Sequence, residues 1–243
     1  MDTGTRAARP GRVIAVVGAC GGVGTSTLAA AVAHAVRRHG QSAVLVDLDV
    51  PGPGLDVFLG IEDEPGARWP ELGTARGDVD GDGLLAALPR WRSVPVLSGS
   101  RVSSGGPEDA VVVDVCTGLL RAGETVVLDL ARPAGWTSAI RTLVAACDVA
   151  LLVVPLTVPG AAGAGVASGA LTGAGCQDVR VVARQPSPGR VDALALQRAL
   201  GRPVVATLRW DPRLAGAIER GEGPGVGHRS VLGRCAADVV AAL

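Results

Sequence analysis

A glycine-rich turn near the N-terminus is the part of the sequence with the clearest chemical potential. It reads GACGGVGTSTLAAAVAHAV over residues 18–36, directly after the apolar run VIAVV and directly before an alanine-rich helical segment. Glycines let consecutive backbone N–H groups of such a turn converge on an anion, and the N-terminus of the following helix adds a partial positive charge. The turn therefore predicts a phosphate-binding loop.

The elements around this loop alternate between short Val-rich runs and longer Ala-rich segments of helical period. This alternation predicts βαβ units and an α/β fold with a mostly parallel sheet. We expect strands at 13–17, 42–49, 125–130, 149–154, 179–183 and 203–208, with a weaker strand at 94–99. We expect helices at 25–39, 108–122, 137–146, 160–174, 191–200, 212–220 and 229–242, and a short one around 84–90.

The length of 243 residues suits one domain. We expect a flexible N-terminus at 1–12 and a single domain at 13–243. Within it, the segment 62–83 is rich in Gly, Pro and Asp, and is predicted to be an irregular excursion that Trp69 anchors.

Charge and cysteine content exclude several classes of function. All 23 basic residues are arginine, and 23 acidic residues balance them, so no global field attracts nucleic acid or anionic lipid. Five scattered cysteines and three histidines form no metal-binding pattern and favour reduced, mostly buried thiols.

The longest apolar run, 143–158, is too short to cross a bilayer. The C-terminal segment lacks the aromatic and clustered basic residues of a membrane-targeting helix. We expect a cytoplasmic protein.

The loop resembles the deviant Walker A pattern KGGxGK[ST], which residues 20–26 occupy position by position. Every glycine matches, whereas Cys20 and Thr25 stand in place of the two lysines. Over residues 13–232 the chain resembles the family of MinD, ParA and CpaE/TadZ, and it is most like the CpaE/TadZ branch, which includes septum site-determining Ssd-like proteins. This resemblance implies a P-loop NTPase fold of the SIMIBI type, a three-layer sandwich with helices on both faces of the sheet.

The resemblance also implies a site for ATP or ADP with Mg²⁺. Asp49, after the second strand, would orient the attacking water, and Asp129 resembles the Walker B carboxylate. Ser26, Asp47 and Asp129 would lie at the metal. The nucleotide would be held by Gly21, Gly22, Val23, Gly24, Thr25, Ser26 and Thr27, and its adenine by the region of Asp211 and Pro212. Ala183 and Arg184 replace an asparagine that commonly reads the base in the family.

The missing lysines weaken this expectation. A charge-assisted hydrogen bond contributes about 1.5–3 kcal/mol, so losing the lysine at position 25 should weaken triphosphate binding by about ten- to a hundredfold. Only arginines can supply compensating charge. The candidates lie at or beyond strand ends, namely Arg132, Arg184, Arg209 and Arg213.

We therefore expect a positioning or regulatory protein that binds ATP weakly or not at all and is at most a slow ATPase. Its output would be a protein contact, either a homodimer or docking to a division or pilus/secretion component. The alternative is a pseudo-ATPase scaffold that acts only through protein contacts. A remote alternative is an NAD(P)-binding Rossmann protein, because 22–27 followed by Asp47 imitates its fingerprint. However, the third glycine is missing and the chain has neither Tyr nor Lys.

The individual residues also have simpler interpretations. The three aspartates could be ordinary strand-end residues. Cys20 could be a reactive thiol, although a small residue filling a vacated lysine position is the favoured interpretation. His34 and His39 are expected to be surface or packing histidines.

Overall fold

The computed structural model describes residues 11–50, 52, 54–100, 105–185 and 191–243. Of the predicted flexible N-terminus, residues 1–10 lie outside this range, and the prediction is wrong for Arg12, which begins the first strand. The strands are β1 (Arg12–Gly18), β2 (Ala43–Leu48), β3 (Arg90–Trp91), β4 (Val94–Leu97), β5 (Thr125–Leu130), β6 (Val149–Pro155), β7 (Val179–Arg184) and β8 (Val204–Leu208).

Nine α-helices lie among the described residues, and two short 3₁₀ turns, Trp69–Leu72 and Pro133–Gly135, accompany them. The helices are α1 (Thr25–Arg38), α2 (Leu55–Leu59), α3 (Gly81–Ala87), α4 (Asp109–Arg121), α5 (Ser138–Ala145), α6 (Val158–Gly173), α7 (Ala193–Leu200), α8 (Leu214–Glu219) and α9 (Val231–Ala242).

The strands form one eight-stranded sheet in the order β3-β4-β2-β5-β1-β6-β7-β8. All neighbouring pairs are parallel except β3 with β4. Alternate residues of β1 belong to two separate core clusters, so that Val13, Ala15 and Val17 pack on one face. Ile14 and Val16 pack on the other face, against α1 and α9. The predicted α/β fold with helices on both faces is confirmed.

The register of the central strands positions the carboxylates. Every residue of β2 and β5 is buried, as expected for parallel strands that are covered on both faces. Asp47 of β2 pairs in register with Asp129 of β5, and Asp129 pairs with Val16 of β1. The two aspartates therefore lie side by side at the carboxyl edge of the sheet, next to the loop that follows β1.

The segment after β2 is more regular than predicted. Helix α2 was not foreseen, because it has five residues and is bounded by Gly54 and Gly60, both with positive φ. The expected irregular excursion contains a 3₁₀ turn, and α3 begins within it, at Gly81. Trp69 anchors the segment as predicted: its side chain is buried and its Nε1 donates to the Asp47 carbonyl at 2.7 Å.

The C-terminal helix α9 lies within the helix predicted at 229–242, and it packs on the sheet. It buries Leu232, Cys235, Ala236 and Val239 against α1 and β8. All five cysteines are free thiols, and four of them are buried while Cys20 is exposed. Within the described ranges, no helix combines the length and apolar character needed to cross a membrane.

Candidate functional site

One cleft of about 550 Å³ collects most of the predicted site residues. It opens at the carboxyl ends of β1, β2 and β5. Leu55 and Phe58 of α2 form an apolar part of its wall, which the sequence did not point out as part of a site. The predicted residues that line the cleft are Gly21, Gly22, Gly24, Thr25, Ser26, Thr27, Asp47, Asp49, Asp129 and Arg132.

The loop backbone shows why glycine is needed at particular positions. Gly22 and Gly24 have φ values of 69° and 97°, in the left-handed region that side chains other than glycine disfavour. A Cβ atom at Gly21 or Gly22 would meet nothing within 4 Å, so this part of the loop borders open space. At Gly18, by contrast, a Cβ atom would lie 2.6 Å from the Thr25 hydroxyl. The loop is thus open toward the cleft and tightly packed at its base.

Helix α1 begins directly after the loop, with Gly24 at its N-cap and no side chain capping it. The first turn contains no acidic residue. The N–H groups of this turn and the positive end of the helix dipole are therefore suited to an anion. Val23 differs from the other predicted loop residues because its side chain is buried in the core, which leaves only its backbone for a ligand.

Asp129 is a strongly perturbed carboxyl in the cleft. Its side chain is 2% exposed. Burial raises the pKa of Asp129 to about 8, the nearby Asp47 and Asp49 raise it further, and a hydrogen bond from Ser26 opposes the shift. A carboxyl with this pKa is largely protonated at neutral pH until a cation stabilises its charge. Ser26 and Asp129 offer adjacent oxygen atoms of the kind that Mg²⁺ prefers, so these residues fit the predicted metal.

Asp47 is held by its neighbours. Its Oδ1 accepts from the backbone N–H of Asp49 at 3.1 Å, and its Oδ2 accepts from that of Leu55 at 3.1 Å. The Ser98 hydroxyl and the Gly99 N–H lie 3.4 Å from the same Oδ2. Burial raises the pKa of Asp47, and the backbone hydrogen bonds lower it in part. The Asp47 side chain thus links the end of β2 to the start of α2 and to the residues that follow β4. Its role beside a metal stays a prediction.

The carboxylates alone do not make a complete metal site. In the described part of the chain, no group of three His, Cys, Asp or Glu side chains is placed to hold a metal ion. Asp49 is exposed at the mouth of the cleft. Because Mg²⁺ usually keeps several waters and shares phosphate oxygens, one or two protein ligands are sufficient for it.

Of the four arginines considered as substitutes for lysine, Arg132 is the one that lines this cleft. Arg184 instead donates to the Leu208 carbonyl at 3.3 Å and lies 5.5 Å from the centre of the Trp210 ring. Burial lowers the pKa of Arg184. Arg209 and Arg213 line other grooves. Arg184 and Arg209 also line a small cavity that includes Gly24 and Thr27 of the loop, so a role of these arginines toward phosphate stays a prediction.

The two residues expected around the adenine lie in separate cavities. Asp211 shares a small cavity of about 20 Å³ with Gly24, Thr27 and Arg184. Pro212 lines an outer groove of about 720 Å³, to which Asp211 also contributes. Asp211 therefore lies next to the glycine loop, whereas Pro212 does not line the 550 Å³ cleft. The contact of these two residues with a base stays a prediction.

Comparison with known proteins agrees with this geometry. A family model described as ParA, NUBPL iron-transfer P-loop NTPase, matches residues 10–73. The uncharacterized protein Rv3660c of Mycobacterium tuberculosis is 39% identical over 236 residues, which is 96% of this chain and 64% of that protein. The chloroplastic septum site-determining protein minD homolog of Arabidopsis thaliana is 24% identical and is aligned over 86% of this chain and 67% of its own length. The chain thus spans about two thirds of the length of these relatives.

Solved structures share the fold at low sequence identity. The ParA family ATPase from Chlorobium tepidum has a TM-score of 0.79 with 18% identity, covering 94% of this chain and 97% of that one. MinD from Pyrococcus horikoshii, complexed with Mg-ADP, has a TM-score of 0.74 with 19% identity, covering 94% and 93%. The MinC:MinD complex of Aquifex aeolicus has a TM-score of 0.75 with 19% identity, covering 96% of each chain. These structures show that the chain has the fold of ParA and MinD proteins.

Proposed function

We propose that this chain is a positioning or regulatory protein of the ParA/MinD type that binds Mg²⁺-ATP or Mg²⁺-ADP weakly and hydrolyses ATP slowly at most. The observation that carries the proposal is the cleft in which an open glycine loop, the start of α1, Ser26 and Asp129 converge without a lysine. Backbone N–H groups and a helix N-terminus bind phosphate without side-chain charge, but less tightly than a loop that also supplies lysine.

Within this proposal, each residue has a limited role. Ser26 and Asp129 hold Mg²⁺, which neutralises phosphate charge when bound. Asp49, at the exposed mouth of the cleft, orients a water molecule, and Arg132 faces the phosphate. One arginine in place of two lysines leaves little to stabilise the charge of a transferring phosphoryl group, which is why slow turnover is proposed.

A pseudo-ATPase scaffold is the second candidate, and the charges of the cleft favour it. Among the described residues, three aspartates and one arginine line the cleft. The Thr25 side chain, at the position of the missing lysine, lies against Gly18 at the base of the loop. If the aspartates repel phosphate more than the loop attracts it, only the fold and its protein contacts remain functional. The remote NAD(P) alternative loses its support, because the fold is that of ParA/MinD proteins.

The output in both cases is a protein contact. The structural neighbour from Aquifex aeolicus is a complex of MinD with MinC, and the sequence resembles the CpaE/TadZ branch. We therefore propose a homodimer or a partner from division or pilus/secretion machinery as the functional assembly.

Isothermal titration with ATP and ADP, with and without Mg²⁺, tests the nucleotide part of the proposal. The test variant is Ser26→Ala/Asp129→Ala, and the matched control is Ser93→Ala/Asp82→Ala, which changes two exposed residues outside the cleft. Magnesium-dependent binding that the test variant loses and the control keeps supports the proposal. Absence of heat at about 1 mM nucleotide, an affinity weaker than about −4 kcal/mol, overturns it in favour of the scaffold.

A further inference from the structure

A second groove, of about 960 Å³, runs along the free edge of the sheet and is called the edge groove here. Strand β8 is the last strand in the sheet order, so one of its edges faces away from β7. Residues 204–207 of this strand line the groove, together with parts of α1, α7 and α9. An open strand edge presents backbone N–H and C=O groups that can pair with another extended chain.

The edge groove concentrates positive charge in a chain whose formal net charge is zero. Asp238 is the one carboxylate among the described residues that line it. Within the described ranges, Arg38 and Arg209 form no ion pair. The basic side chains that line the groove are three arginines and all three histidines of the chain, namely Arg38, Arg209, Arg234, His34, His39 and His228.

The arginines carry most of this charge at neutral pH. His34 is half-buried, with its ring centre 5.9 Å from that of Trp91. Burial lowers the pKa of His34, and the charges of Arg92 and Arg38 lower it further. Arg38, Arg209 and Arg234 are all exposed. Guanidinium groups remain charged at any physiological pH and match the geometry of carboxylates.

The rest of the groove suits a polypeptide better than a nucleic acid. Its floor includes Val204, Val205 and Ala206, and its rim includes Leu194, whose side chain is 53% exposed. None of the residues that line it is Trp, Phe or Tyr, so it lacks the stacking platforms on which single-stranded nucleic acids depend. At one end of β8, the Val204 N–H donates to Gln197 Oε1 at 3.0 Å. A side chain thus occupies the place that a neighbouring strand's carbonyl would take.

We propose that the edge groove binds an extended acidic segment of a partner protein, which pairs with β8 as an added strand and places its carboxylates against Arg38, Arg209 and Arg234. Alternation of side chains along a strand lets acidic residues face the arginines while apolar residues face Leu194 and the valines. The inference rests on the proposed function only in assuming that the output is a protein contact, and it does not require nucleotide.

Fluorescence anisotropy with the whole chain and a labelled ten-residue peptide of alternating Glu and Val tests the inference, with a Lys/Val peptide as the reverse-charge probe. The test variant is Arg38→Glu/Arg234→Glu. The control, Arg121→Glu/Arg141→Glu, reverses two charges that lie outside the groove. We expect the acidic peptide alone to bind, the test variant to lose at least about tenfold in affinity, and the control to stay within about twofold.

Hydrogen exchange separates strand addition from general attraction between charges. We expect the acidic peptide to slow amide exchange in Val204–Leu208. Binding without this protection, equal binding of the test variant, or competition by a single-stranded thymidine oligonucleotide at equal affinity would overturn the proposal. Protection that grows with protein concentration without peptide would also overturn it, in favour of a second copy as the occupant. The titration with nucleotide should be the same for the test variant and the parent, so failure of the groove and failure of the nucleotide site remain distinguishable.

Discussion

The cleft beside the glycine loop and the edge groove are lined by opposite kinds of ionisable side chain. In the part of the chain that the structure describes, three aspartates and one arginine line the cleft, whereas one aspartate and three arginines line the edge groove. The glycine loop nevertheless predicts an anion in the cleft. An anion there would be held by backbone N–H groups, a bound cation and Arg132, while an anion in the groove can be held by side chains alone. Binding in the cleft should therefore depend on Mg²⁺, and binding in the groove on ionic strength.

The largest effect is expected from removing the buried anchor beside the cleft. Trp69 is 2% exposed and donates to the Asp47 carbonyl. Its replacement in Trp69→Ala leaves a cavity and an unpaired carbonyl, so the free energy of unfolding should fall by about 3–5 kcal/mol. Denaturant unfolding measures this, and Trp210→Ala, which removes an exposed indole, serves as the control. An equal loss of unfolding free energy in both variants would show that Trp69 does not hold Asp47 and its strand in place.

Asp129→Asn should change how stability depends on pH. The pKa of Asp129 is about 8 in the folded chain against an ordinary value of 3.8. Between these values the folded state binds a proton that the unfolded state has lost, so stability falls as pH rises, by at most about 1.4 kcal/mol per pH unit. Asparagine cannot titrate, so relative to the variant the parent should lose on the order of 3 kcal/mol between about pH 5 and pH 8.

Denaturant melts at several pH values measure this slope, with Asp82→Asn, an exposed residue, as the control. Addition of Mg²⁺ should reduce the loss at high pH, because a cation stabilises the ionised carboxylate. Parallel pH profiles for the parent and Asp129→Asn would contradict the protonated state of Asp129, and with it the contrast between a cleft whose charge changes with pH and a groove whose arginines stay charged.

Much of the fold could be predicted because hydrophobic runs and glycines are local signals. β5 was predicted to the residue at 125–130, and α1 begins at Thr25 as expected, since Gly24 ends the loop there. The two-residue strand β3 and the five-residue helix α2 were missed. Elements this short are held by tertiary contacts, such as the hydrogen bond that the Asp56 N–H donates to the Ser98 hydroxyl oxygen, rather than by a repeating pattern.

The site was predictable in part for the same reason. Residues at the carboxyl ends of neighbouring parallel strands must lie close together, which brought Asp47, Asp129 and the loop into one cleft. The direction of a long side chain is not fixed by its place on a strand: Arg184 donates to the Leu208 carbonyl and lines a small cavity beside Gly24 instead of the cleft. The edge groove gave no sequence signal, because its charges come from segments around 34–39, 209 and 228–238 that only the fold brings together.

A lysine at position 25 should give the cleft, like the edge groove, a further positively charged side chain that attracts an anion. Thr25→Lys adds an ammonium group beside the loop and should strengthen Mg²⁺-ATP binding by about ten- to a hundredfold, because it restores one charge-assisted contact. Thr117→Lys adds the same charge on an exposed face of α4 and is the control. Titration calorimetry compares the two. If both variants bind ATP as the parent does, the loop is not a phosphate site and the scaffold is favoured.

The smallest effect is expected from Arg132→Gln. Arg132 is the arginine that lines the cleft, and it is exposed, so water and salt screen its attraction to phosphate. Loss of this charge should weaken Mg²⁺-ATP binding by about three- to tenfold at low salt, which corresponds to about 0.7–1.4 kcal/mol, and by less at high salt. Arg141→Gln, which changes an exposed arginine outside the cleft, should have no such effect.

A loss of Mg²⁺-ATP affinity that is equally large at high salt would mean that Arg132 holds the loop in shape rather than attracting phosphate. No loss at low salt would leave the cleft without any side chain that attracts an anion, and its phosphate affinity would then come from backbone and cation alone.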